Sequence, residues 1–165
     1  MLFTIATSYA LRALAALPED GSYRLSQELA QHLDIPGPYL AKILQNLARH
    51  GLLNSIRGPR GGFRLGRPAH RISVADVVRV LDGMATTSGC LLGFRECGGH
   101  DPVCPMHAAW TEVKTHLEQT MAMVTIRDLQ LLEESGHGTS PWQNRAEWLR
   151  SGAAGAGTAH PVKLA

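Results

Sequence analysis

The sequence predicts a mainly α-helical fold with one small β-hairpin wing, a winged helix-turn-helix followed by a long helix. Three observations predict it. Two short amphipathic segments flank a turn at 34–38, and the string Arg57-Gly58-Pro59-Arg60-Gly61-Gly62 separates two short apolar runs. After Pro105, apolar residues recur at alternating steps of three and four. At 165 residues and 44% hydrophobic content, the chain suits one compact domain with an appendage, and a collagen-like or wholly disordered chain is excluded.

Residues 2–17 read as a first helix, because Ala6, Ala10, Leu14 and Leu17 fall on one face and Pro18 ends it. After a turn at 19–23, Ser26 is expected to cap a second helix with Leu25 as its staple and Leu29, Ala30 and Leu33 as its apolar face. Residues 34–38 break that helix. Pro36 or Pro38 can occupy the opening turn of a third, which runs to about His50 and stops at Gly51. It buries Leu40, Ile43, Leu44 and Leu47 and turns Tyr39, Lys42, Asn46 and Arg49 outward.

Residues 52–56 and 63–65 read as strands around the glycine-rich turn. Ser73 caps a fourth helix to about Leu81, whose Val77, Val78 and Leu81 are expected to pack under the wing. No period is visible over 83–101, a loop of a length that usually needs a function. Pro105 then starts a longer helix whose Trp110, Val113, Leu117, Met121 and Val124 form a seam wide enough for a partner helix. Thr125 to Asp128 has the pattern of a capping box, so the helix is expected to bend or restart there. The expected organisation is a DNA-binding domain at 1–83, a cysteine-bearing loop at 84–104, a dimerisation helix region at 105–134 and a flexible Gly-, Ala- and Ser-rich tail at 135–165, with a weak helical turn or two near 141–150.

The formal charge of +2 hides an asymmetry. Residues 1–71 hold nine Lys or Arg and four Asp or Glu, whereas residues 72–165 hold seven and ten, so the first part is basic. Arg57, Arg60, Arg64, Arg67 and Arg71 fall within fifteen residues that contain no acid. A helix on the 12 Å scale of the major groove can present Tyr39, Lys42, Asn46 and Arg49 to base edges. Arginines on a wing whose Gly61 and Gly62 allow close backbone approach can enter an A·T-rich minor groove, and Ser26 is a further DNA-binding candidate. Double-stranded DNA is the expected partner. No P-loop, G-x-S-x-G or H-E-x-x-H motif supplies a substrate site, so no enzyme activity is expected. Gly152 to Gly157 is read as linker, not a nucleotide-binding turn, because no strand precedes it. No apolar stretch approaches a membrane span and the start lacks a basic flank, so the expected compartment is the cytoplasm.

Cys90, Cys97, Cys104 and His107 have the spacing C-x6-C-x6-C-x2-H. Three thiolates and an imidazole can ligate a cluster or a single metal. Structural zinc sites usually contain C-x2-C pairs, absent from this sequence, so zinc is the less suited metal. Cys104 before Pro105 is placed to feel a helix N-terminus, which favours thiolate.

The order helix, tight turn, helix and Arg-Gly wing, with Tyr39-Leu40, Gly51-Leu52 and the wing string from Arg57 to Gly66, resembles the Rrf-two family of bacterial winged-helix regulators, the group containing IscR and NsrR. The resemblance covers residues 1–134. It implies a homodimer on palindromic operator DNA, with the long helix crossing its counterpart, and a regulator, acting as repressor, that senses iron–sulfur, redox or nitric-oxide status. Family members of that kind place three cysteines in this loop, matched by Cys90, Cys97 and Cys104. IscR-like members add a histidine shortly after the third cysteine on a [2Fe-2S] cluster, matched by His107. NsrR-like members use an acidic residue near the N-terminus for a [4Fe-4S] cluster, where this chain has Ser8. The resemblance therefore favours [2Fe-2S]. Two other readings stay open: a constitutive or zinc- or thiol-dependent repressor, and an iron–sulfur electron carrier.

Overall fold

The structure, a computed structural model, describes residues 3–58, 61–83 and 105–134. Helix α1 (Ile5–Ala15) is capped by Thr4, whose hydroxyl accepts from the Thr7 N–H. Arg24 then pairs with Phe63 through two 2.9 Å backbone hydrogen bonds, so the chain stays extended through Leu25. Helix α2 (Ser26–Leu33) accordingly takes Leu25, not Ser26, as its N-cap residue, and no side chain caps it. Ser26 is already helical, and a hydroxyl caps only from a non-helical position. Asp34 closes α2 in a left-handed conformation (φ 53°, ψ 50°), and the Ile35 N–H returns to the Ala30 carbonyl at 2.9 Å.

Helix α3 (Gly37–Arg49) has Pro36 as N-cap and Pro38 in its first turn, where a missing N–H costs nothing. Strands β1 (Leu53–Ile56) and β2 (Gly62–Leu65) pair antiparallel, from Leu53 opposite Leu65 to Ile56 opposite Gly62. Gly62 has φ 136°, and a Cβ there would stand 2.3 Å from the Arg24 carbonyl, so only glycine lets the wing lie against Arg24. After a 3₁₀ turn (Ala69–Arg71), helix α4 (Val74–Leu81) opens with a full capping box between Ser73 and Asp76.

Helices α5 (His107–Met123) and α6 (Ile126–Glu134) complete the described chain. The expected restart at Thr125 is present: its N–H and hydroxyl both donate to the Asp128 carboxylate at 2.7 Å. The Ser73 and Thr125 caps lie side by side, because the Val74 N–H donates to the Val124 carbonyl and the Ile126 N–H to the Ile72 carbonyl. One core gathers Leu14, Leu17, Leu40, Leu44, Leu47, Leu53, Ile72, Val77 and Ile126, all nearly free of solvent. Gln130, buried with them, donates to the Leu17 carbonyl at 3.0 Å.

Two further expectations are corrected. Helix α4 packs mainly against α1, α3 and α5, not under the wing, because Val77 enters the main core while Val74 and Val78 meet Met121. Helix α5 begins at His107 instead of Pro105, and its apolar face is divided: Leu117, Met121 and Val124 are spent on α4, while Val113 remains 53% exposed. The tail beyond 134 and the loop at 84–104 lie outside the described residues.

Candidate nucleic-acid interface

Four apolar residues on one side of α3, Leu40, Ile43, Leu44 and Leu47, fix its rotation against the core and so decide which side chains face out. Lys42 and Arg49 are exposed, as expected. Tyr39 is 39% exposed and its ring meets Tyr9 of α1 edge-on, with centroids 6.0 Å apart and planes at 79°. Asn46 is half-buried on the flank, and its backbone carbonyl faces the His50 ring at 2.9 Å. A groove of about 600 Å³ runs between the start of α2, the second half of α3 and β1; Ser26, Gln45, Arg49, Arg57 and Gly62 line it. Gln45 was not among the sequence candidates. Its signal was the helical wheel, on which it lies opposite Leu40 and Leu47.

The wing arginines separate into roles. Arg57 is exposed, with no ion pair or hydrogen bond among the described residues, and Arg60 lies outside them. Arg64 turns back into the protein: its guanidinium carbon sits 4.9 Å from the Tyr23 ring centroid and its Nη1 donates to the Gly21 carbonyl at 3.4 Å. Arg67 approaches Asp76 at 3.8 Å. Gly61 is buried, and a Cβ there would lie 2.3 Å from the Ile56 carbonyl, which keeps the turn tight. Next to the wing, the neighbouring Ser22, whose N–H donates to the Asp20 carboxylate at 2.8 Å, holds that carboxyl below its ordinary range, with Arg24 acting in the same direction.

Cys90, Cys97 and Cys104 lie outside the described residues, and among the described residues no group of three or more His, Cys, Asp and Glu could hold a metal. His107 is half-buried in the opening turn of α5. At the other end of the cysteine segment, Asp82 follows α4, and its carboxylate accepts from both the Thr4 N–H, at 3.1 Å, and the Thr4 hydroxyl. An acid at the N-terminus of α1 also faces the positive end of that helix dipole.

Residues 3–131 match the Rrf2 family model, described as an iron-dependent transcriptional regulator. The chain belongs to the Rrf2 family. It is 34% identical over 137 residues to a protein of Aquifex aeolicus (strain VF5) named as an HTH-type transcriptional regulator, covering 81% of this chain and 94% of that one. It is 30% identical over 132 residues to the HTH-type transcriptional regulator IscR of Xenorhabdus nematophila, covering 78% of this chain and 79% of that protein. Among solved structures, the fold is similar to CymR, the global cysteine regulator of B. subtilis, with a TM-score of 0.66 at 23% identity over 78% of this chain and 95% of that one. It is similar also to IscR of T. potens, with a TM-score of 0.63 at 21% identity over 86% and 94%. This Rrf2 protein is a DNA-binding transcriptional regulator and not an enzyme, and its mainly helical winged fold is that of the family. No described helix is long and apolar enough to cross a membrane.

Proposed function

We propose that this Rrf2 protein is a homodimeric repressor whose hold on operator DNA follows the state of an iron–sulfur cluster carried by Cys90, Cys97, Cys104 and His107. The observation that carries the DNA half is the groove in which α2, α3 and the wing converge, with Ser26, Arg49 and Arg57 on one surface. Tyr39, Lys42 and Arg49 address the major groove with Asn46 on its flank, Arg57 and Arg60 the wing's groove, and Ser26 the phosphate backbone, while Gly61 and Gly62 keep the wing's turn tight and Arg64 fastens the wing against Tyr23. Support for the sensor half is the donor chemistry: three soft thiolates with one imidazole suit iron–sulfur ligation, and the family model is described as iron-dependent. A [2Fe-2S] cluster fits this donor set better than [4Fe-4S] or zinc, and when bound it would supply a redox- and nitric-oxide-sensitive crosslink.

The chain's own residues can transmit that state. The cysteine segment joins α4 to α5, which pack on each other through Val74, Val78 and Met121. Asp82, at its near end, grips Thr4 at the head of α1, and α1 reaches the reading helix through the Tyr9–Tyr39 contact. A coupling of about 1–3 kcal/mol along this route would change operator occupancy severalfold or more. The test is anaerobic purification with absorbance spectra and iron and sulfide counts, followed by operator titration of the chain and of each Cys→Ser variant. Iron-bearing protein whose affinity shifts in the variants supports the reading. Equal affinity in every cluster state overturns the sensor; a colourless, iron-free protein that still binds operator favours a zinc- or thiol-dependent repressor.

A further inference from the structure

On the wheel of α3, the buried residues Leu40, Ile43, Leu44 and Leu47 define an inward direction, and the residues diametrically opposite are Pro38, Lys42, Gln45 and Arg49. All four are exposed. Gln45 is the single neutral hydrogen-bonding side chain on this ridge, with a cation about one turn before it and another about one turn after it. It lines the groove toward β1, and the small Ala48 beside it lines the same groove, so nothing bulky keeps the amide from a surface laid there. Gln45 makes no side-chain hydrogen bond among the described residues. Asn46, one residue on, is turned by about 100° to the half-buried flank and does not line the groove.

An uncharged amide neutralises no phosphate and so gains less from the backbone than Lys42 and Arg49 do. Its paired donor and acceptor match the N6 donor and N7 acceptor that adenine alone presents in the major groove. From Lys42 to Arg49 the helix rises about 10.5 Å, roughly three base-pair steps, which places Gln45 over the middle of the triplet the ridge can reach. Resting on the DNA-binding reading above, we propose that Gln45 is a specificity-determining residue of this regulator that reads one adenine in each half-site through a bidentate contact.

The test is selection from a library of randomised duplexes with the purified full-length chain and its Gln45→Ala and Gln45→Glu variants, followed by anisotropy titrations on the selected site. The wild-type chain is expected to enrich adenine at one position per half-site. Gln45→Ala should flatten that position alone and weaken the selected site about tenfold, with non-specific binding and the salt slope unchanged. Gln45→Glu should move the preference at that position to cytosine, whose N4 amine a carboxylate accepts. Equal unfolding midpoints of the three proteins show that the changes are local. If both variants select the wild-type sequence with affinities within twofold, or if Gln45→Ala lowers the salt slope by about one charge, the adenine contact is overturned while the DNA-binding reading stands. If the wild-type chain enriches no sequence, the operator-reading function fails, and this inference with it.

Discussion

At the scale of single residues, the basic wing holds side chains of two kinds. Arg57 is exposed in the groove, whereas Arg64 lies over Tyr23 and reaches the Gly21 carbonyl. The two substitutions therefore separate. Arg57→Ala should leave the urea midpoint unchanged and weaken operator binding by about 1–3 kcal/mol in an anisotropy titration. Arg64→Ala should lower the unfolding free energy by about 1 kcal/mol, because a cation–π contact and a hydrogen bond that fasten the wing are lost. Gly62→Ala is the more severe change: its Cβ would meet the Arg24 carbonyl at 2.3 Å and its φ of 136° is foreign to alanine. A loss of about 2–4 kcal/mol is expected in urea unfolding. The sequence shows five arginines and a glycine turn, but which guanidinium turns back depends on Tyr23, forty-one positions away along the chain.

At the scale of elements, caps were legible where the signal is local and misplaced where pairing intervened. Ser73 is read as a cap and Thr125 with Asp128 as a capping box, and both are found as read, Ser73 gaining Asp76 as its partner. Ser26 looked like the same signal, but the Arg24–Phe63 bridge holds the chain extended one residue further. Ser73→Ala should cost about 1 kcal/mol in thermal or urea unfolding, whereas Ser26→Ala should cost little, its hydroxyl capping nothing. The hydrogen bonds from Thr125 hold the Asp128 carboxyl below its ordinary value, so its contribution is present above that value and fades as pH falls through the lowered one. In acid titrations of the unfolding midpoint, Asp128→Asn should remove that part of the decline. Glu133 is shifted the other way, upward, by burial, with His32 and Arg12 opposing. The long-helix seam shows the same limit: its period was visible, but not that α4 would cover Leu117, Met121 and Val124.

At the scale of the whole molecule, the exposed Val113 continues the apolar face that α4 covers further along α5. Under the homodimer proposal, Val113→Glu should give a monomer in sedimentation velocity and a large loss of affinity for a palindromic operator, while its urea midpoint matches that of the unsubstituted chain once both are diluted below the dimer's dissociation constant. Operator affinity of the intact dimer should fall steeply with salt, at a slope of about −0.9 per phosphate neutralised.

The sequence by itself determined the helix-turn-helix, the hairpin and two of the cap positions, Ser73 and Thr125, because periodicity, proline placement and glycine turns act over a few residues. It also determined the family, through the Tyr39-Leu40 and Arg-Gly wing strings that residues 3–131 carry into the Rrf2 match. Tertiary structure decided which side chains are left for DNA. The rotation of α3 is set by how Leu40, Ile43, Leu44 and Leu47 fill a core shared with α1, the wing and α6, and that packing brings Gln45 to the centre of the outer ridge while moving Asn46 to its flank. The apolar period of α3 already marks which face turns inward, but whether an outward side chain is free or held by a neighbour, as Tyr39 is by Tyr9 and Arg64 by Tyr23, depends on contacts distant in sequence.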